Sequence, residues 1–443
     1  MRVRPMALLL GLLLVAAACG NSADDRDDRG SGTTATTAAG TDTDTFVPSD
    51  EPGVTDEEIR VVVIASKTNP LNGKYAEIED GIEAYFAKVN AEGGIYGRDL
   101  VVSKNRDDII GTQNLQEVQA SLAEDNAFAT FLATLGFGGA DELDRAGMPT
   151  FIWNIRPEMA GHDNIFGSLG ALCFGCTGQV VPWLADQVGA EQVGILGYNV
   201  ARESVLCAEG SRDSFGKYGP AEVGFYDASL GFAQPDLSAQ VSSMKQAGVS
   251  FVTSCMDLAE TLVLAKEMQK QGLDAVQHLP NGYDADFIEA NAEFYEGSYV
   301  IPQYLAFEHG PIPEHEEFLR WIEEIDRPVY EVTVVGWILA QMFVQGLTLA
   351  GPEFTQQSVV DGLNTVTDFT ANGMLVPIDW TKQHEDPKEN PESESPLECA
   401  NVLQVQGGKF VPVFGDGDDP WVCFENNAET LTRIDNMSFV PEE

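Results

Sequence analysis

Apolar runs of strand length alternate with helical segments along most of this chain, and the alternation forms two series. A continuous β-branched run at residues 59–65 opens the first series and is typical of a strand buried on both faces. The predicted strands are 59–65, 100–102, 128–132, 149–153, 193–196, 223–226, 251–253 and 277–279. The predicted helices are 78–89, 115–122, 140–146, 204–215, 237–247, 258–271 and 285–292. Strands separated by helices indicate crossover connections, so the sequence predicts an α/β fold with two doubly wound parallel-sheet lobes.

One later segment, 332–350, is apolar over almost the length that a membrane span needs. It contains Gln341 and Gln345, lacks flanking basic residues and is followed by Gly351. These features favour a buried core helix over a membrane helix.

The charge balance excludes several classes of protein. Acidic residues number 70 and basic residues 25, which gives a net charge of −45. A chain with this balance has no broad basic face for nucleic acid and does not adhere to anionic lipid through its surface charge. Its 443 residues, 44% of them apolar, suffice for two or three folded domains.

The N-terminus has the layout of an export signal. Arg2 and Arg4 precede an apolar run at 7–15, and three alanines lead to Cys19. A cysteine directly after small residues resembles the lipobox of bacterial lipoproteins, which implies a signal peptide at 1–18 and a lipidated Cys19. The alternative is a plain signal that is cleaved near Ala18. Polar, Thr-rich and acidic sequence follows, and we expect residues 19–56 to form a disordered tether.

Six cysteines remain after Cys19, and an even number in an exported protein indicates disulfides. Six cysteines allow about fifteen pairings. The preferred set is Cys173 with Cys176, Cys207 with Cys255, and Cys399 with Cys423. A redox or zinc role for the Cys173-Phe-Gly-Cys176 motif is the alternative, but no second such motif completes a zinc site.

Several segments carry a family resemblance. A double-glycine turn, NAEGGIYG at 90–97, precedes the strand at 100–102, and the adjacent acids Asp107 and Asp108 follow that strand. GMPTFI at 147–152 and DLSAQVSSMKQAGV at 236–249 come later. Together and in this order they resemble the leucine/isoleucine/valine-binding proteins, a group of type I periplasmic binding proteins. The resemblance covers roughly residues 57–380.

The resemblance implies a two-lobed architecture with a three-segment hinge and ligand between the lobes. The first lobe would comprise 57–168 and 304–376, and the second 169–303 and 377–443. With the lipobox, the resemblance implies a monomeric solute-binding lipoprotein of an ABC importer on the outer face of the bacterial cytoplasmic membrane. It would deliver a small polar solute (an amino acid, amide or related organic acid) to permease subunits. A ligand-sensing receptor of the same fold is the alternative.

Candidate ligand contacts in the first lobe lie on two loops and one helix start. Gly136, Phe137 and Gly138 follow a predicted strand, where glycine amides can approach a carboxylate or carbonyl. Serines hold the carboxylate at this loop in amino-acid binders of the family, so Phe137 and Gly138 disfavour an α-amino-acid ligand. The second contact loop carries Trp153, Asn154 and Arg156, and Tyr75, beside Lys74, lies at the helix start. Arg156 is either a fork for an anionic ligand or part of an interlobe salt bridge.

Second-lobe candidates follow predicted strands. Tyr198 matches a region that supplies an aromatic residue in relatives, and Tyr283, next to Asp284, lies where relatives have a polar contact. Asp257 is a candidate for binding a ligand ammonium, for capping the helix at 258–271, or for both.

The sequence contains none of the common catalytic motifs. It lacks G-x-S-x-G, the P-loop motif and H-E-x-x-H. His309 and His315 lie in an acid-rich segment, 308–317, which is either a site for a divalent ion or a solvated surface loop, and we expect the solvated loop. We therefore expect a binding protein without enzymatic activity, cofactor or metal.

Overall fold

A five-stranded parallel sheet forms the centre of the first lobe. The computed structural model describes residues 46–69, 73–415, 419–434 and 437–441. The predicted signal peptide, Cys19 and tether residues 20–45 lie outside the described residues. The sheet contains β1 (Glu58–Ala65), β2 (Asp99–Asp107), β3 (Ala129–Ala133), β4 (Thr150–Ile152) and β5 (Ile165–Gly167), in the order β2-β1-β3-β4-β5. Helices α1 (Ile78–Ala91), α2 (Asn114–Glu124) and α3 (Ala140–Arg145) connect its strands.

A seven-stranded mixed sheet forms the centre of the second lobe. Its parallel strands are β6 (Gln192–Tyr198), β7 (Glu222–Leu230), β8 (Phe251–Cys255), β9 (Val276–Leu279) and β10 (Tyr299–Val300). The helices of this part of the chain are α4 (Val180–Gln187), α5 (Arg202–Tyr218), α6 (Ser238–Gln246), α7 (Leu258–Gln271), α8 (Ala285–Ala290) and α9 (Ala292–Tyr295). The alternation in the sequence therefore corresponds to two α/β lobes, as predicted.

The rest of the chain returns to the first lobe and then to the second. The first-lobe helices are α10 (Pro313–Glu324), α11 (Glu331–Ala350) and α12 (Gln356–Leu363). The later strands are β11 (Leu397–Ala400), β12 (Val402–Gln406), β13 (Lys409–Val413), β14 (Val422–Glu425) and β15 (Arg433–Ile434). Strands β12 and β13 extend the second sheet antiparallel to β10, in the order β13-β12-β10-β9-β8-β6-β7, and β11, β14 and β15 form a small third sheet. The sequence predicted neither the antiparallel extension nor the third sheet.

Two boundaries differ from the sequence assignment. Arg98, which is fully buried, donates hydrogen bonds to the carbonyl oxygens of Thr55 and Val47, each at 2.6 Å, so residues 46–56 pack on the first lobe and are not tether. Residues 377–384, assigned to the second lobe, also pack on the first. There His384 Nδ1 lies 3.0 Å from the carbonyl oxygen of Ile165, and Trp380 packs edge-on against Phe166. The chain therefore makes its last crossing between residues 384 and 397.

Helix α11 is the apolar segment that the sequence predicted as a core helix. By length and composition it could cross a membrane, but 78% of its most apolar window is buried inside the fold. Trp337 at its middle is fully buried, packs edge-on against Tyr85 and Phe318, and donates a hydrogen bond to Glu314. This burial confirms the prediction of a core helix.

Helices α1 and α11 pack with their backbones in close contact at two glycines. A side chain on Gly81 would overlap the carbonyl oxygen of Thr333, and one on Gly336 would overlap the carbonyl oxygen of Ile78. Only glycine permits this approach, because any other residue would push the helices apart.

Three disulfides are present among the described residues: Cys173 with Cys176, Cys207 with Cys255, and Cys399 with Cys423. They are the pairs that the sequence analysis preferred. The second joins α5 to the end of β8, and the third joins residues that face each other across β11 and β14.

The helix contact predicts unequal effects for two glycine substitutions. We expect Gly81→Ala to lower the free energy of unfolding by about 1–3 kcal/mol, because the new methyl group overlaps backbone atoms of α11. Gly216→Ala is the matched control, since Gly216 lies within α5, is exposed and has open space where a methyl group would lie. It should be neutral or stabilising by up to about 1 kcal/mol. Urea unfolding measures both, and equal effects would contradict the close packing.

Candidate ligand-binding cleft

A cavity of about 610 Å³ lies between the two lobes. It is located at the carboxyl ends of parallel strands, because Trp153 directly follows β4, Asp257 follows β8 and Asn281 follows β9. Ligands of open α/β sheets bind at this edge. Both lobes contribute its lining residues, which are 73–75, 153, 257–259, 281, 283–287, 304, 307–308, 329–332 and 410.

Asp257 lines the cavity and also caps α7. One carboxylate oxygen accepts hydrogen bonds from the amides of Ala259 at 3.0 Å and Glu260 at 3.1 Å. The other accepts a hydrogen bond from the hydroxyl of Tyr198. Tyr198 is only 3% exposed and lies behind Asp257, outside the lining. Burial and the neighbouring Asp257 raise the pKa of Tyr198, so its hydroxyl keeps its proton and holds the carboxylate in place.

Tyr283 forms a second polar position in the lining. Its hydroxyl donates to Glu308 at 2.7 Å and accepts from the Phe307 amide at 3.2 Å. Burial, followed by the charge of Glu308, raises the pKa of Tyr283. Asp284 next to it caps α8 by accepting from the Phe287 amide at 2.9 Å. Burial and then Tyr283, Glu331 and Glu308 raise the pKa of Tyr304 as well.

Tyr75 and Trp153 form the aromatic wall of the first lobe. Their ring centroids are 6.2 Å apart, and the Trp153 indole donates a hydrogen bond to the side chain of Gln303 in the hinge. Burial, with a contribution from the charge of Asp257 across the cleft, raises the pKa of Tyr75 to about 12.

Glu331 lines the cavity, but the sequence analysis did not identify it as a candidate. It is the first residue of α11, and its carboxylate accepts a hydrogen bond of 3.3 Å from the amide of Gln303. Burial raises its pKa to about 7. The other lining residues between 304 and 332 were also missed. Their only local signal was the acid-rich segment that begins at Glu308, and nothing in its spacing indicates that it faces a cleft.

The first contact loop does not line the cavity. Phe137 is 8% exposed and belongs to the core of the first lobe. The amides of Gly138 and Gly139 both donate to Asn114 Oδ1 at 3.2 Å, and the carbonyl oxygen of Gly136 accepts a hydrogen bond from the Thr134 hydroxyl. Asn154 lies outside the lining as well.

Arg156 is engaged in an ion pair between the lobes. Its guanidinium lies 3.4 Å from Glu203 of α5 in the second lobe and 3.4 Å from Glu158, and it donates to the Leu135 carbonyl at 3.1 Å. It is 7% exposed and does not line the cavity. This geometry corresponds to the interlobe salt bridge and not to a contact with an anionic ligand in the cavity.

Carboxylates outnumber basic groups in the lining. Lys74 is the single basic residue among the described lining residues, and its ammonium lies 5.0 Å above the ring of Tyr330. The five acids are Asp257, Asp284, Asp286, Glu308 and Glu331.

One group of potential metal ligands occurs among the described residues, away from this cavity. Cys173, Cys176 and Glu394 lie together, but both cysteines are joined in a disulfide. Cysteine binds a metal ion as the thiolate, and the disulfide leaves no thiolate here, so this group does not hold a metal ion.

Comparison with known proteins places the two lobes in a known group. The family model described as "periplasmic binding protein" matches residues 58–409. No curated protein is a significant match to the sequence.

Solved structures with this fold match most of the chain. A fatty acid ABC transporter substrate-binding protein from Thermomonospora curvata is 16% identical with a TM-score of 0.66, covering 86% of this chain and 95% of that one. A branched-chain amino acid transporter substrate-binding protein from Streptococcus pneumoniae, in complex with isoleucine, is 14% identical with a TM-score of 0.64, covering 81% and 99%. A solute-binding protein from R. palustris, in complex with benzoate, is 17% identical with a TM-score of 0.63, covering 80% and 95%. At these identities the likeness shows the fold alone.

The raised pKa of Glu331 predicts a pH-dependent effect on stability. Between pH 4.5 and pH 7 the unfolded chain releases this proton while the folded protein keeps it, so the carboxyl destabilises the fold increasingly as the pH rises. Glu331→Gln removes the charge, and we expect it to raise the free energy of unfolding at pH 8 by up to about 3 kcal/mol. Near pH 4.5 the variant and the parent should be similar.

Urea unfolding at both pH values checks this prediction. Glu324→Gln, an exposed position in α10, is the control and should have little effect at either pH. A gain from Glu331→Gln of the same size at pH 4.5 and pH 8 would contradict the role of burial.

Proposed function

This chain belongs to the periplasmic binding protein family, with the type I fold, and we propose that it is the extracytoplasmic solute-binding subunit of an ABC importer. It would capture a small solute between its lobes and deliver it to the permease. Structures of the same fold include a branched-chain amino acid transporter substrate-binding protein in complex with isoleucine and an ABC transporter solute-binding protein in complex with benzoate. The sequence analysis expected this chain to resemble branched-chain amino-acid-binding proteins. The comparisons confirm that resemblance for the fold and the family.

The cleft is the observation that carries the proposal. Its volume of about 610 Å³ lies within the range of small-molecule sites, about 300–1,000 Å³. Aromatic side chains from both lobes face it, and polar groups from β8, β9 and α11 converge on it. Hinge bending that closes two such lobes would enclose a solute and remove it from water. We propose no catalytic step.

The amino-terminal sequence supports a membrane anchor for this protein. Lipid on Cys19 would keep the binding lobes near the permease on the outer face of the cytoplasmic membrane. The polar segment after Cys19 would be the linker between the lipid and the lobes. In this proposal the protein contacts the membrane through the lipid alone.

The anchor predicts a change of location for one cysteine variant. We expect Cys19→Ala to move the protein from the membrane fraction to the soluble extracytoplasmic fraction and to abolish incorporation of labelled palmitate. Ser22→Ala, in the same segment, should remain with the membrane. The proposal of a lipid anchor fails if Cys19→Ala stays in the membrane fraction to the same extent as the parent.

Solute binding predicts a stabilising ligand with 1:1 stoichiometry. A library of amino acids, amides, organic acids, amines and aromatic compounds should contain members that raise the melting temperature, since a ligand at 100 times its Kd stabilises the fold by about 2.7 kcal/mol. Calorimetry then gives the Kd and stoichiometry.

A bulky residue in the cleft tests the location of that binding. Ala259→Trp places an indole at an exposed lining position at the start of α7, and we expect it to abolish binding without loss of stability. Ala239→Trp, at an exposed position of α6 outside the cleft, is the matched control and should bind like the parent. Unchanged affinity in Ala259→Trp would exclude the cleft as the site, and a library without a single stabilising compound would count against solute binding itself.

A further inference from the structure

From the charges and rings that line the cleft, we propose that its solute is an organic cation, an amine or quaternary ammonium with an apolar body. This inference rests on the proposed function and specifies its solute class. It departs from the amino acid, amide or organic acid that the sequence suggests.

The acids that face the cleft come from several separate segments. Asp257 precedes α7, Glu308 lies in the segment before α10, and Glu331 begins α11. Each is already held in place, by the Tyr198 hydroxyl, the Tyr283 hydroxyl and the Gln303 amide respectively. Fixed carboxylates that converge on one cleft favour a positive charge there, because the low-dielectric walls of a cleft concentrate their field.

Most groups that could hold an anionic ligand are occupied by the protein itself, and Arg156, whose Nη2 has no hydrogen-bond partner among the described residues, lies outside the lining of the cavity. Asp257 accepts from the Ala259 and Glu260 amides of α7, and Asp284 accepts from an amide of α8. The Gly138 and Gly139 amides donate to Asn114, and Arg156 is paired with Glu203 and Glu158. A carboxylate that entered the cavity would meet Lys74 as its one basic partner among the described lining residues and five acids as repelling neighbours.

Aromatic rings form the rest of the wall. Tyr75 and Trp153 lie on one side, and Tyr283 and Tyr304, with ring centroids 5.8 Å apart, lie on another. Faces of such rings attract ammonium groups, and cages of this kind bind quaternary ammonium ligands. The ammonium of Lys74 over the Tyr330 ring is an example within the same cavity. The rings also provide the apolar surface that the body of the solute would cover.

The general excess of acid in this chain is consistent with exposed lining acids such as Glu308 and Asp286, but it does not account for Glu331. Most acids of a highly charged protein lie at the surface, where water solvates them at little cost. Glu331 is only partly exposed, and burial raises its pKa to about 7, so its charge destabilises the empty site. A bound cation would offset that destabilisation.

Matched compounds that differ only in the charged group provide the test. The purified, processed full-length protein is titrated with phenethylamine, phenethyltrimethylammonium, 2-phenylethanol and 3-phenylpropanoate, and with the same four head groups on cyclohexyl and butyl bodies. Thermal shift and calorimetry at pH 7.5 measure binding. We expect a cation to bind at least about 10-fold more tightly than the alcohol on the same body, and the carboxylate to bind more weakly than either.

Variants of the lining acids connect the affinity to the cleft. Glu331→Gln and Glu308→Gln should each weaken binding of the best cation by about 10-fold or more, while affinity for its alcohol analogue stays within about 3-fold. Glu324→Gln, outside the cleft, should bind like the parent. Urea unfolding of each variant confirms that it is folded.

The outcomes separate this inference from the proposed function. Binding of carboxylates or alcohols in preference to the cations would overturn the cationic class and leave a solute-binding protein. Cation binding that neither Glu331→Gln nor Glu308→Gln weakens would also overturn it, because the cleft acids would not be the recognising groups. If no cation binds while other compounds of the wider library do, the inference fails alone, and if no compound of any charge binds, the proposed function fails with it.

Discussion

The close packing of α1 against α11 is the constraint on which the cleft depends. The two helices are separated by more than two hundred residues of sequence, and their backbones meet at Gly81 and Gly336. Tyr75 lies just before α1, and Glu331 is the first residue of α11. Packing the helices near these ends therefore brings an aromatic ring and a carboxylate from distant segments to one wall. A larger residue at either glycine would push the two helices apart. It would thereby separate the Tyr75 ring from the Glu331 carboxylate without replacing any residue of the site.

Polar contacts are among those that join the two lobes at the cleft. Arg156 of the first lobe pairs with Glu203 of the second, and the charge of Asp257 acts on Tyr75 across the cavity. Opening of the lobes would break this ion pair, and closing them around a solute would form it again. The fold thus combines rigid parallel sheets with a contact between them that a ligand can strengthen.

Patterns in the sequence predicted much of the fold because they are local. Apolar periodicity identified α7 at its observed bounds and β1 to within one residue. Strand β5, with three residues, and β10, with two, were both missed. Asp257 was identified as a candidate because it follows a predicted strand. In the structure it both caps α7 and lines the cavity. The sequence analysis placed Arg156 in a ligand-contact loop and left an interlobe salt bridge as the alternative, and only the fold brings Glu203 beside it.

The sequence alone determined the α/β class, the two lobes and the family, since strand and helix periodicity and ordered motifs are properties of adjacent residues. It also carried the preferred disulfide pairs. Tertiary structure alone decided the character of the cleft. Glu308, Glu331, Tyr304 and Tyr330 reach it from a segment whose own pattern is that of an acidic loop and a core helix. Their convergence with Asp257 depends on how distant helices and strands pack, and packing over such separations leaves no local signal in a single sequence.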